Sequence, residues 1–243
     1  MTGPAPGANG GAGAPGERPA VRLGLPRLHL RVTDSTNSRA RELAAGGAPP
    51  GTLVTAAVQT AGRGRQGRAW SAPPGRALLC SMIVAGTPPL LSLAAGVAVA
   101  QLAGPAAQLK WPNDVLHDGR KVAGILVEGR PQEDWAVLGI GINVALRASD
   151  FPPELRATAG TLGLEPAAIE PTLAALLRGL ERWLDAGAGE VLAAVRARDA
   201  LLGRPVRWSE GEGIAAGIDD AGRLVVRTPD GDSALTAGEV HLL

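Results

Sequence analysis

Of the 24 basic residues in this chain only Lys110 and Lys121 are lysine; the rest are arginine. Both lie in one stretch, Lys110-Trp111-Pro112-Asn113-Asp114 followed by Lys121-Val122-Ala123-Gly124-Ile125-Leu126-Val127-Glu128. A compact ammonium and a forked guanidinium serve an anion differently, so two lysines spared here point to chemistry that arginine does not supply. Asparagine is as sparse, at Asn9, Asn37, Asn113 and Asn143. Lys110 and Asp114, four apart, suit either a structural ion pair or the handling of a polyphosphate and its metal. Lys121 leads into an apolar run, which directs its ammonium inward, and a partly buried ammonium needs an anion.

A second constellation is Gly62-Arg63-Gly64-Arg65-Gln66-Gly67-Arg68. Glycines let backbone amides approach an anion, and guanidiniums clamp carboxylates or phosphates with paired hydrogen bonds. The spacing is not that of a Walker A loop. A solvated basic loop and an Arg-Gly nucleic-acid tract are the plainer alternatives. Trp70, just beyond, suits stacking on a ring or a hydrophobic anchor, and Gln59, just before, offers an amide donor and acceptor. Asp34-Ser35-Thr36-Asn37 opens a helix. Helix capping explains these residues, and a ligand held at the helix N-terminus is the competing reading.

The elements that must position these groups follow from hydrophobic period. Residues 1–19 are Gly, Ala and Pro with little to bury, and are expected to be disordered. Strands are expected at 27–32, 52–60 and 77–84, with a long loop over 61–74. Strands at 108–111 and 122–128 flank a turn at His117-Asp118-Gly119. Trp135 to Leu146 reads as a buried strand whose two glycines admit close approach. Helices are expected at 34–45, 88–102, 153–159, 166–186 and 189–201. From Leu202 short strands and Gly/Asp turns predict a small β-barrel. The boundaries are therefore 1–20 tail, 21–201 main α/β domain and 202–243 C-terminal domain.

A net charge of +1 gives no global attraction to nucleic acid or membrane. The longest apolar run, near 90–102, is Ala-rich and too short for a span, and a cytoplasmic protein is expected. Cys80, the lone cysteine, excludes an intramolecular disulfide and reads as a core residue rather than a catalytic thiol.

Four stretches together resemble the biotin protein ligase family: Ser35-Thr36-Asn37; Gln59 to Trp70; Lys110 to Asp114 with Lys121 to Glu128; and Gly139-Ile140-Gly141-Ile142-Asn143. The resemblance implies an α/β catalytic domain related to class II aminoacyl-tRNA synthetases, a mixed sheet backed by helices, and an SH3-like C-terminal barrel. No DNA-binding module is expected ahead of the catalytic domain. The implied activity activates biotin with ATP as biotinyl-5′-AMP and transfers it to a lysine of a biotin carboxyl carrier domain. It implies Mg²⁺ held mainly by phosphates, no protein metal site, no nucleic-acid or membrane partner, and allows for a homodimer. By motif, Ser35, Thr36, Asn37 and Gln59 address the ureido end of biotin. Arg63, Gly64 and Arg65 close over its carboxylate or acyl-phosphate, with Gly124 and Lys121 completing the biotin set. Arg65, Arg68, Trp70, Lys110, Asn113, Asp114, Lys121 and Asn143 serve the nucleotide. Arg65, Lys121 and Asp114 are the catalytic candidates, Asp114 as a base toward the incoming lysine. Pro74-Gly75-Arg76-Ala77-Leu78 departs from the family pattern and leaves the pocket wall near Leu78 open. A lipoate ligase or acyltransferase of the same superfamily is the near rival; a ligand-sensing or nucleic-acid-binding module is the distant one.

Overall fold

The computed structural model describes residues 23–130 and 132–243; the tail expected over residues 1–20 lies outside them. Strands β1 (Arg27–Leu30), β2 (Leu53–Ala56), β3 (Ala77–Ala85), β4 (Gln108–Lys110), β5 (Asp114–His117), β6 (Arg120–Gly129) and β7 (Trp135–Asn143) form one sheet. Its order is β1-β2-β3-β7-β6-β5-β4. β1 and β2 run parallel, joined through helix α1 (Thr36–Ala45), and every other neighbouring pair is antiparallel. This is the expected mixed sheet.

Side chains alternate across the strands, and the two faces have different fates. Cys80, Met82, Ile125, Leu138 and Ile140 point to the main core, shared with α2 (Leu91–Ala103) and α3 (Ile169–Leu184). α2 is apolar almost all round, as a helix buried between layers must be. On the other face, Val54, Ile83 and Val137 pack against Ala40 and Ala44 of α1. Farther along that face Ala77 and Leu79 pack with Leu146 and Phe151. Between these two clusters the register aligns Ser81, Gly139 and Leu126 in one row and Leu79, Gly141 and Gly124 in the next row on the same side. The three glycines leave bare backbone there, so the face carries a trough.

After α4 (Ala188–Arg196) come β8 (Pro205–Trp208), β9 (Gly211–Ile218), β10 (Leu224–Thr228), β11 (Gly231–Leu235) and β12 (His241–Leu242). They make an antiparallel sheet in the order β11-β10-β9-β8-β12. Val206, Ile218, Leu224 and Val240 belong to the same core as Leu192, Val195 and the main sheet. Trp111 Nε1 donates to Gly222 O at 3.0 Å across the junction.

Three elements differ from expectation. The chain from 108 to 128 makes three strands, because β5 forms between Asn113 and the turn. In that turn Asp118 and Gly119 take left-handed φ values of 49° and 73°, as a tight hairpin requires. The helix expected at 153–159 is a single 3₁₀ turn at Pro153–Leu155. Beyond it the chain pairs with β6 instead: Lys121 N donates to Thr158 O at 2.7 Å and Gly160 N to Lys121 O at 2.8 Å. The helix expected at 166–186 starts as a 3₁₀ turn and becomes regular only in α3.

Candidate active site

The start of α1 lies over the trough. Ser35 holds the N-cap position without a side-chain capping bond, and Ser35, Thr36 and Asn37 are all buried. Capping therefore does not account for these polar side chains. Gln59 Oε1 accepts from Thr36 N at 2.7 Å and from Thr36 Oγ1 at 3.0 Å. That spends the oxygen end of the Gln59 amide and leaves its Nε2 as the donor end. Asn37 Nδ2 donates to Glu128 Oε2 at 2.7 Å, and its Oδ1 lies 2.6 Å from Ser81 Oγ. Ser81 Oγ is also 2.7 Å from Thr36 Oγ1. A Cβ on Gly139 would overlap the Asn37 amide, so this glycine is needed for the close approach.

The basic loop is a short hairpin. Arg63 bridges to Ala69, Gly64 N donates to Arg68 O at 2.7 Å, and Trp70 N donates to Gly62 O at 2.9 Å. Its tip is a 3₁₀ turn at Arg65–Gly67, with Gln66 at φ 55°. Arg63 pairs with Glu128 at 3.0 Å. Trp70 lies flat across the paired glycines of β6 and β7. A Cβ on Gly141 would sit 2.5 Å from Trp70 Cε2, and one on Gly124 3.1 Å from Cζ3. Trp70 Nε1 is buried without an acceptor among the described residues.

Beside the tryptophan the cations converge. Lys121 Nζ pairs with Asp114 Oδ1 at 2.6 Å and sits 5.6 Å from the Trp70 ring centroid. The ion pair suggested between Lys110 and Asp114 is thus formed by Lys121. Arg65 donates to Asn113 Oδ1 at 3.3 Å, and Asn113 Nδ2 to Ile125 O at 2.8 Å. Arg65, Arg68, Lys110, Asn113 and Asp114 line one recess together with Gly238, Glu239 and Val240, from the connection between β11 and β12. Arg68 pairs with Glu239 at 2.6 Å. Burial pulls the Lys110 ammonium below its ordinary range, against the attraction of Asp114, and Lys121 and Arg68 add to the lowering. Arg65 is pulled down as well, chiefly by burial. Four cations facing two carboxylates is an arrangement that an anionic ligand would relieve.

Asn143 stands apart from this recess. Its Nδ2 donates to Gly160 O at 2.8 Å, fixing the segment that pairs with Lys121. Cys80 is buried on the opposite side of the sheet, where burial pushes its thiol up to about 12. Three participants were not singled out from the sequence. Ser81 had no signal beyond being the polar residue in an apolar strand. Glu128 closed a motif but was given no role. Glu239 comes from the connection between β11 and β12, which sequence spacing does not place near the loop. Among the described residues no three His, Cys, Asp or Glu side chains cluster as metal ligands.

Comparison with known proteins agrees with this geometry. Residues 29–144 match the biotin/lipoate A/B protein ligase family and residues 201–243 the biotin protein ligase C-terminal domain. The biotin–[acetyl-CoA-carboxylase] ligase of Paracoccus denitrificans is 38% identical over 87% of this chain and 98% of its own length. The protein of the same description from Mycobacterium tuberculosis is 37% identical over 86% of each chain. The structure of the biotin protein ligase of Aquifex aeolicus in complex with biotin and ATP superposes with a TM-score of 0.74 at 28% identity, covering 89% of this chain and 98% of that one. With a polar trough and a cationic recess meeting at Trp70, and relatives matched over nearly their whole length, the chain belongs to the biotin protein ligase family.

Proposed function

We propose that Ser35, Thr36, Asn37 and Gln59 bind the ureido ring of biotin, and that the recess around Lys110 and Lys121 binds ATP. The chain is a biotin protein ligase: it joins biotin to AMP and passes the biotinyl group to a lysine of a carboxylase. The observation that carries the residue assignment is the adjacency of two unlike compartments. One has neutral, buried donors and acceptors suited to a cyclic urea; the other has four cations suited to a triphosphate, and Trp70 lies at their junction. In this reading residues 21–201 are the catalytic domain and 202–243 the C-terminal domain, which reaches the recess through Glu239.

In the first step a biotin carboxylate oxygen bonds to the α-phosphorus of ATP and the bond to pyrophosphate breaks. Two anions must meet, so neutralisation and alignment supply the rate. Arg65 and Lys121 act at the carboxylate and the α-phosphate, with Arg63, Gly64 and Gly124 on the biotin side. Arg68, Trp70, Lys110 and Asn113 act on the nucleotide side, and Asn143 contributes by holding the backbone around Lys121. Mg²⁺, when bound, adds positive charge to the pyrophosphate leaving group. With no cluster of protein ligands among the described residues, phosphate oxygens would hold it, near Asp114.

In the second step the carrier's lysine amine attacks the acyl carbon, the bond to AMP breaks, and the amine proton must leave. Movement of Lys121 from Asp114 to the acyl-phosphate frees a carboxylate next to the reaction, which suits Asp114 as the base. The partner is a biotin carboxyl carrier domain. No helix among the described residues is long and apolar enough to cross a membrane, and cytoplasmic placement completes the reading. Association of two copies into a homodimer is tested by sedimentation.

Pyrophosphate release from ATP, with biotin or lipoate, followed by labelling of a carrier domain, tests the assignment in wild type and Lys121→Ala. Biotin-dependent release and labelling, both lost in Lys121→Ala, is the expected result. Turnover with lipoate alone, or full activity of the variant, overturns it.

A further inference from the structure

We infer that Ser81 and Glu128 are positioning residues that fix the direction of the hydrogen bonds in the ureido pocket, acting through Asn37 and Thr36. The inference rests on the reading of that pocket as the biotin site. Glu128 Oε2 and the carbonyl of Leu126 both face the Asn37 amide, at 2.7 and 3.4 Å. A carboxylate and a carbonyl only accept at neutral pH, so the end of Asn37 facing them is the NH₂ and the end facing Ser81 is the carbonyl oxygen. That oxygen cannot donate. The single hydroxyl proton of Ser81, a side chain with no exposed surface, is therefore spent on Asn37 at 2.6 Å.

Ser81 Oγ can then only accept from Thr36 Oγ1, 2.7 Å away. Gln59 Oε1, already holding the Thr36 amide, is the other acceptor that Thr36 Oγ1 can reach. The Thr36 proton is committed inward on either route, and its outward lone pair accepts. Gln59, its oxygen held, keeps its NH₂ as the donor end. The fixed charge at the end of β6 thus keeps Ser81 from donating to Thr36 and leaves Thr36 an acceptor, while the Thr36 N–H holds the oxygen of Gln59 and leaves its donor end free; together they give the pairing that a urea, with N–H and C=O side by side, requires. Neither Ser81 nor Glu128 needs to touch the ligand. The register provides the route: Ser81, Gly139 and Leu126 are aligned across three strands, and the bare Gly139 lets the Asn37 amide span them.

The test measures steady-state kinetics of Ser81→Ala, Glu128→Ala, Glu128→Gln and the double alanine variant, with biotin and with 2-iminobiotin, whose ring carbon carries an imine in place of the oxygen. Each alanine variant should raise the KM for biotin about tenfold or more, the scale of one buried polar group left unpaired. The KM for ATP should stay within about twofold. The double variant should be no worse than the poorer single, because both break one relay. Preference for biotin over 2-iminobiotin should narrow. Glu128→Gln, which gives up the charge pair with Arg63 but keeps an oxygen for the Asn37 amide, should recover most of the biotin KM. Equal losses on biotin and 2-iminobiotin, additive losses in the double variant, or no recovery in Glu128→Gln would show packing or the Arg63 pair at work and overturn the inference. Failure of Ser81→Ala to fold would leave Glu128→Ala and Glu128→Gln, at a partly exposed side chain, to decide. Absence of biotin turnover in the wild type would refute the ureido assignment itself; normal turnover with unaffected variants would refute only the relay.

Discussion

Lys110 lines the recess, whereas Lys121 meets it through its pair with Asp114, and their variants should differ accordingly. Lys121 has a partner in Asp114 and, in the proposed reading, acts at the acyl-phosphate, so Lys121→Ala should lower kcat for adenylate formation by about 10²–10³, the cost typical of losing one stabilising donor. Rapid-quench measurement of pyrophosphate checks this. At Lys110, burial holds the free-state pKa below the ordinary lysine range. A bound triphosphate would raise that pKa again. Nucleotide affinity should therefore be full at neutral pH and fall as pH rises through the free-state value, levelling off only above the bound-state value. Lys110→Arg, whose guanidinium does not lose its proton, should flatten that alkaline limb, which nucleotide titration across pH would show. Cys80 makes the opposite case. With its thiol pushed up to about 12 and its side chain buried, the folded protein should resist alkylation by iodoacetamide at pH 8, and mass spectrometry would detect modification only after denaturation.

At the scale of elements, the trough depends on residues that lack side chains as much as on those that have them. Gly141→Ala would place a methyl 2.5 Å from the Trp70 ring, so the indole must lift from β6 and β7. The variant should lose about 1–3 kcal/mol of stability and more than an equivalent share of adenylate formation, because Trp70 is displaced from the junction of the two compartments. Thermal melts set beside kcat/KM for both substrates separate the two effects. The strands carrying this floor were legible from sequence, since the apolar run from Trp135 with its two glycines has only one economical fold. That Lys110, Asn113, Asp114 and Lys121 would come together was legible too, because lysine is rare enough in this chain for its positions to carry information. Ser81 was not legible: whether a lone serine in Leu78 to Val84 faces the core or the trough depends on register, which pairing partners decide. The expected helix at 153–159 failed for a related reason. Its polar backbone finds partners on Lys121 of β6, a contact that local propensity cannot anticipate.

For the molecule as a whole, the second sheet is bound to the first by core as well as by charge. Leu224, Ile218 and Val206 share one apolar cluster with Leu192, Val195 and Trp111. Trp111 Nε1 bonds to Gly222 O, and Arg196 pairs with Asp220 at 2.7 Å. The Arg68–Glu239 pair adds a contact from the basic loop to that same sheet. Being exposed on the Arg68 side, this pair is worth little to stability, so its effect should appear in loop position. A chain ending at residue 201 would expose Leu192, Val195 and Trp111 to water and should be insoluble or molten, whereas the intact chain should unfold in a single calorimetric transition. Glu239→Gln should leave that transition within about 1 °C, since the stability at stake is a fraction of a kcal/mol. If the second sheet helps seat the basic loop over the nucleotide, the same variant should raise the KM for ATP severalfold while sparing the KM for biotin. An ATP KM within twofold of wild type would instead restrict the second sheet's contribution to the shared core.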